Sequence, residues 1–89
     1  MIRDIRFTPA SGDDLMRGLV AYVRVRYGTL LIDGITLRMT RAGEPTLGWP
    51  ARRDRQGRDH PLVRPFNDEA RRELEQAVFA ELRRQEGAA

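Results

Sequence analysis

The sequence has no cysteine and no lysine, and it has only one histidine (His60) and one serine (Ser11) in 89 residues. Without cysteine, the chain can form neither a disulfide nor a thiolate metal site. With a single histidine and a single serine, histidine-rich metal sites and serine catalysis are poor hypotheses. We therefore expect no catalytic residues, no cofactor, no metal and no small-molecule substrate.

Long apolar runs are missing as well. No apolar run approaches 18 residues, which is the length needed to cross a bilayer as a helix. The opening residues, Met-Ile-Arg-Asp, show no apolar signal segment. From these two absences we expect a cytoplasmic protein that has no membrane partner.

The short chain limits how much apolar surface can be buried. At 10.2 kDa, with 40% hydrophobic residues, it suits one domain spanning residues 1–89. Domains of this size are marginally stable, and oligomerisation is a common remedy. The expectation is a single domain that forms a homodimer.

Arginine supplies all 16 basic residues, which face 13 acidic ones and leave a net charge of +3. The basic excess lies in residues 1–66, whereas residues 67–89 hold more acidic than basic side chains. This asymmetry favours an anionic partner, with nucleic acid as the first candidate. The absence of lysine is explained more simply by genomic base composition than by a functional need for arginine.

Residues 19–27 alternate between an apolar face and a wetter face. The apolar face holds Leu19, Ala21, Val23, Val25 and Tyr27. The wetter face holds Val20, Tyr22, Arg24 and Arg26. A period of two predicts a half-buried antiparallel strand, followed by a turn at 28–29. The apolar parity flips after Asp33 and Gly34, which predicts a β-bulge there, with a tight hairpin as the alternative.

The remaining segments up to residue 66 are shorter. We predict strands over 2–7 and 46–49 and a loop over 8–17, which is rich in turn-forming residues. Residues 51–59 are polar and centre on a turn at Gln56 and Gly57. The segment 60–66 contains two prolines and is typical of an edge strand or an extended segment.

A C-terminal helix is predicted over about 68–85. Asn67 is a good N-cap, and Asp68 and Glu69 suit the positive end of a helix. Apolar residues then recur at helical spacing: Ala70, Leu74, Ala77, Val78 and Leu82. Strands over about 2–66 followed by one helix predict an α+β fold with a small antiparallel sheet of four to five strands. One helix covers only one face of such a sheet, so the other face is a candidate partner surface.

The strongest functional feature is a group of four guanidiniums within seven residues: Arg52, Arg53, Arg55 and Arg58. On a turn between short strands, these side chains would project together into solvent. The planar fork of arginine suits bidentate contacts to phosphate and to the guanine edge, which predicts a nucleic-acid-binding loop. The alternative is a solvated, charged hairpin. Two aromatics have similar alternatives: Trp49 stacks on a base or packs in the core, and Tyr22 stacks on a base or lies in a dimer contact.

Several short motifs together resemble the SpoVG septation-regulator family (stage V sporulation protein G). They are IRDIR (2–6), AYV (21–23), LIDGI (31–35), LGWP (47–50) leading into Arg52 and Arg53, GRD (57–59), PFN (65–67), and a helix with Arg71 and LEQAV (74–78). The resemblance implies a small antiparallel sheet, a C-terminal helix and a homodimer. It also implies a DNA-binding regulator, in some members also binding RNA, with the basic segment after the proline as the binding element.

The sequence departs from the family pattern at three places. Ala51 stands where the family usually has serine, the basic pair contains no lysine, and Arg64 stands where a histidine commonly precedes the proline. Ala51 removes one hydroxyl from the expected phosphate contacts, whereas Arg64 adds a charge. The resemblance therefore extends more directly to backbone binding than to sequence preference.

These observations predict a bacterial nucleic-acid-binding regulatory protein that binds DNA, and RNA as a second ligand, through an arginine-rich loop as a homodimer. The resemblance connects it to septation, cell division, sporulation and transcription regulation, but DNA chemistry alone does not specify which process is regulated. The rival hypothesis is a protein-interaction module without nucleic-acid binding, in which the acidic helix and the uncovered sheet face dock another protein.

Overall fold

The computed structural model describes residues 2–87 and contains six strands and two helices in that range. Along the chain they are β1 (Ile2–Pro9), α1 (Asp13–Met16), β2 (Leu19–Tyr27), β3 (Leu30–Met39), β4 (Pro45–Gly48), β5 (Ala51–Arg53), β6 (Asp59–Pro61) and α2 (Asp68–Gly87). Strands β1 to β4 form one antiparallel sheet in sequential order, and β5 pairs with β6 in a separate hairpin. The predicted α+β class, with a four-stranded sheet and a C-terminal helix, is confirmed.

The hydrophobic core lies between the inner face of the sheet and α2. Its most deeply buried side chains, each no more than 1% exposed, are Val23, Val25, Ile35, Leu37 and Val78. Burying each of these side chains stabilises the fold by roughly 1.5–3 kcal/mol before entropy is considered. The helix contacts β1 and β4, and its partly buried apolar residues extend the packing.

The β-bulge predicted at Asp33 and Gly34 is confirmed. Val23 pairs with Ile35, and Val25 pairs with Ile32, so two residues of β3 lie opposite the single residue Arg24. Gly34 has φ +86°, a conformation that glycine adopts without steric cost. Because of this extra residue, Ile32 and Ile35 both face the core despite their odd spacing.

The predicted loop over 8–17 is wrong in part. Strand β1 continues through Pro9, which pairs with Ala21, and residues 13–16 form the short helix α1. Proline is tolerated there because β1 is an edge strand of the sheet.

Residues 51–66 also differ from the prediction. The polar segment contains strand β5, and the extended segment over 60–66 reduces to β6, which ends at Pro61. Tyr27, predicted on the buried face, is 54% exposed because it lines an open groove beside α2.

The start of α2 follows the predicted cap. The side-chain Oδ1 of Asn67 accepts a hydrogen bond from the backbone N–H of Ala70 at 2.8 Å. An ion pair of 3.2 Å between Arg71 and Glu75 spans the next turn. The helix continues to Gly87, two residues beyond the predicted end. Within residues 2–87, no helix is both long and apolar enough to cross a membrane.

Candidate nucleic-acid interface

The arginine-rich segment folds as the β5–β6 hairpin. Arg52 lies opposite His60, and Arg53 lies opposite Asp59. Because successive side chains of a strand point to opposite faces, Arg52 and His60 share one face of the hairpin and Arg53 and Asp59 share the other. At the base, the N–H of Leu62 donates to the carbonyl of Pro50 at 2.9 Å, which extends the pairing beyond the strands.

The Asp54 carboxylate organises the turn from inside. Its Oδ1 accepts hydrogen bonds from the backbone N–H groups of Gln56 (2.8 Å) and Arg58 (2.9 Å). Its own N–H donates to the carbonyl of Arg58, and its carbonyl accepts from Gly57, which has φ +81°. An aspartate that bonds the backbone two residues ahead, with glycine in the left-handed conformation, is a typical turn device. The Asp54 side chain therefore adds two hydrogen bonds to the backbone bonds that define the loop conformation.

The second oxygen of Asp54 connects the turn to β6. Oδ2 lies 2.8 Å from His60 Nε2 and 3.3 Å from Arg58 Nε. The hydrogen bond with His60 is the main reason why the pKa of Asp54 is lowered from its ordinary value of 3.8, and the backbone N–H of Arg58 adds to this effect. The carboxylate is consequently ionised at neutral pH and continues to accept these bonds.

The four predicted arginines divide into two pairs. Arg53 forms a cross-strand ion pair with Asp59 at 3.2 Å. Arg58 bonds Asp54 and also donates from Nη2 to the side-chain oxygen of Gln56 at 2.6 Å. The side chains of Arg52 and Arg55 make no ion pair or hydrogen bond with any residue in the described range 2–87. Two exposed guanidiniums thus have their full donor capacity available for an external anion.

Both unpaired arginines line the same open hollow of about 400 Å³. The lining residues are Arg52, Arg53, Asp54, Arg55, His60 and Leu62. The whole hairpin has four arginines and two aspartates, which give it a formal charge of +2. Guanidinium groups bind phosphate oxygens through paired, charge-assisted hydrogen bonds, so the arrangement suits a phosphate group.

The structure brings all four predicted site residues onto one hairpin, although Arg58 does not line the hollow. Trp49 is partly buried and packs against the core, in agreement with the second of its two alternatives. Arg64 lines a separate, mainly apolar groove beside α2. Sequence reasoning missed the roles of Asp54 and His60, and the available signal was an aspartate three residues before a glycine in a polar turn.

No group of three histidine or carboxylate side chains suitable for a metal ion occurs in the part of the chain that the structure describes. No family model matches the chain, and searches of curated proteins and of solved structures also returned no match. The resemblance to the SpoVG family and the function that it implies therefore stay predictions.

Proposed function

We propose that this chain is a SpoVG-like nucleic-acid-binding regulatory protein, and that it contacts the phosphate backbone of DNA through the β5–β6 hairpin. The observation that carries the proposal is the pair of unpartnered guanidiniums, Arg52 and Arg55, at one hollow of a hairpin with a net positive charge. RNA is a second ligand because its phosphates offer the same chemistry. A regulator that binds DNA acts where the DNA is, so the proposal includes a cytoplasmic location.

The paired arginines have a different part in this proposal. Arg53 and Arg58 form ion pairs with Asp59 and Asp54. Releasing the Arg53 guanidinium would leave Asp59 without its ion-pair partner, and releasing that of Arg58 would remove one of the bonds to Asp54. Arg53 and Arg58 stabilise the loop conformation, whereas Arg52 and Arg55 bind phosphate. The hairpin is accordingly an anion site supported by its own internal salt bridges.

The proposal includes a homodimer, and an exposed apolar surface supports it. Beside α2 lies a groove of about 710 Å³ that includes Tyr27, Val63 and Phe66 among its lining residues. Phe66 is 87% exposed, which is unusual for so large an apolar side chain. A second copy seated on this groove would bury these side chains and would present two hairpins to one nucleic acid.

The proposed function is tested by measuring binding to a labelled DNA duplex by fluorescence anisotropy at low salt. We expect the double variant Arg52→Ala/Arg55→Ala to bind far more weakly than the original chain. The matched control is Arg72→Ala/Arg83→Ala, which removes two helix arginines that also have no ion pair among residues 2–87. Equal loss in both variants would mean that only net charge matters, and no loss in the hairpin variant would refute the assignment.

The rival function, a protein-interaction module, is favoured by the same apolar groove. It predicts that the hairpin variant loses nothing and that Phe66→Asp abolishes capture of a protein partner. Loss of DNA binding in the hairpin variant therefore supports the proposed function. Unchanged DNA binding in that variant, together with loss of protein capture in Phe66→Asp, supports the rival.

A further inference from the structure

On the outer face of the four-stranded sheet, one aromatic side chain lies in a cross-strand row of otherwise small residues. Tyr22 lies on the central strand β2 and is 43% exposed. Its cross-strand neighbours are Thr8 on β1 and Thr36 on β3, and the next position across the sheet is Gly48 on β4. Small side chains thus flank the tyrosine on both sides, so no bulky cross-strand neighbour stands beside its ring.

The last position of this row, Gly48, has no side chain, and a steric contact explains why. A Cβ atom at Gly48 would collide with the hydroxyl of Thr36, so the present arrangement does not admit a larger residue there. The row therefore reads threonine, tyrosine, threonine, glycine from one edge of the sheet to the other. Such a surface leaves room for a flat ring to lie against Tyr22.

Positive charge surrounds the tyrosine. By strand alternation, the outer face also carries Arg3, Arg6, Arg24, Arg26 and Arg38, against the carboxylates of Asp4 and Asp33. Arg24 pairs with Asp33 at 2.6 Å and Arg26 pairs with Asp4 at 3.2 Å. The formal balance of these side chains is +3, and Arg6 forms no ion pair with another residue between 2 and 87.

Tyr22, Arg6 and Arg24 line one depression of about 560 Å³ on this face. The bulge residues Asp33 and Gly34 line it as well, and the ring of Pro50, the residue just before β5, lies against Gly34. The arginine hairpin therefore begins beside this depression.

We infer that the outer sheet face, centred on Tyr22, is a second binding surface whose ligand is single-stranded nucleic acid. A base stacks on the Tyr22 ring, and Arg6 binds the adjacent phosphate. Aromatic side chains on an exposed sheet bind unpaired bases in this way because every base has a stacking face. A duplex hides those faces, so the surface discriminates single strands from double strands. This goes beyond the hairpin proposal, which concerns phosphates alone.

The test compares Tyr22→Leu with Tyr22→Phe. Leucine keeps an apolar side chain of similar bulk in the strand but removes the aromatic face, whereas phenylalanine keeps that face and removes only the hydroxyl. Anisotropy is measured with labelled oligothymidine, oligouridine and a DNA duplex. We expect Tyr22→Leu to bind the single strands roughly 5- to 150-fold more weakly, as stacking of one base predicts, and to bind the duplex unchanged. Tyr22→Phe should bind all three ligands as the original chain does.

Two controls keep this test separate from the hairpin proposal. Met16→Ala changes an exposed apolar residue of α1 that lines neither the depression nor the groove beside α2, and it should leave single-strand binding unchanged. Arg52→Ala/Arg55→Ala should weaken duplex binding while the penalty of Tyr22→Leu on single strands persists. Unchanged single-strand binding by Tyr22→Leu would overturn the inference. So would a shift of Tyr22→Leu from dimer to monomer in light scattering, because the face would then be a protein contact.

Discussion

Asp54 is an acidic residue within the arginine-rich hairpin, and its hydrogen bonds show that it stabilises the turn. It accepts from two backbone N–H groups of the turn and from His60 and Arg58. Removing it would leave these N–H groups without an internal partner, and the turn would lose the bonds that define it. The arrangement of the arginines therefore depends on one residue of opposite charge.

The pKa of Asp54 leads to a pH prediction. Its value in the folded hairpin lies below the ordinary 3.8, so its contribution to loop stability is complete above pH 3.8 and is lost as the pH falls through the lower folded value. In an acid titration followed by NMR, the amide signals of Gln56 and Arg58 should change with a midpoint below 3.8. His60→Ala should raise this midpoint, because the bond with His60 is the largest cause of the shift. A midpoint that does not respond to His60→Ala would contradict this account.

Sequence reasoning located the group of four arginines but treated them as equivalent. Their spacing along the chain predicts that Arg52, Arg53, Arg55 and Arg58 lie together. It does not predict which two are held by Asp54 and Asp59, because that depends on the register of β5 against β6. A shift of one residue in that register would place Arg52 instead of Arg53 opposite Asp59.

Among the elements, β3 depends on its bulge. The bulge lets Ile32 and Ile35 face the same core, and it places Gly34 at a positive φ. A Cβ atom at Gly34 would meet Pro50 at 3.6 Å, an ordinary contact, so the cost of a side chain there comes from the backbone alone.

Gly34→Ala should therefore lower the free energy of unfolding by about 1–3 kcal/mol, the cost of a non-glycine residue in the left-handed region. Gly34→Asn should lose less, because asparagine tolerates that region better than alanine. Urea denaturation of the three proteins measures both values. Equal stability of Gly34→Ala and the original chain would show that the bulge is not constrained as described.

Helix α2 depends on the cap at Asn67. Replacing Asn67 with alanine removes the acceptor for the N–H of Ala70 and should cost about 0.5–2 kcal/mol. Asn67→Asp keeps an acceptor and adds a negative charge at the positive end of the helix, so its stability should match or exceed that of the original chain. Thermal unfolding followed by circular dichroism compares the two, and identical melting of both variants would refute the capping role.

The elements differ in how well the sequence predicts them, and the reason is the range of the interactions. The bulge and the cap were predicted because apolar parity and a capping residue are local signals. Helix α1 has only four residues, too few to show a periodic pattern. The β5–β6 hairpin consists of exposed residues, so no apolar alternation marks its strands.

For the whole molecule, the distribution of surfaces matters more than the net charge of +3. The sheet has one face under α2 and one face in solvent, while the apolar groove and the arginine hollow are separate features. We therefore expect Arg52→Ala/Arg55→Ala to weaken nucleic-acid binding without changing assembly.

Light scattering at high micromolar concentration should give about twice the chain mass of 10.2 kDa. Phe66→Asp should shift the protein toward the monomer, because a charge would then have to be buried at the proposed contact. The control is Met16→Asp, a change at an equally exposed apolar residue on α1 that lies outside the groove. A single chain mass for the unaltered protein would exclude the homodimer.

The salt dependence of duplex binding tests the central claim most directly. A dimer brings four unpaired hairpin arginines, two from each chain, so log affinity against log salt concentration should have a slope of roughly −3.6, at about −0.9 per phosphate contact. In Arg52→Ala/Arg55→Ala the slope should flatten by about this amount, whereas Arg72→Ala/Arg83→Ala should keep it. A slope that is the same in the hairpin variant and in the original chain would contradict the account, because the hairpin arginines would then release no counterions.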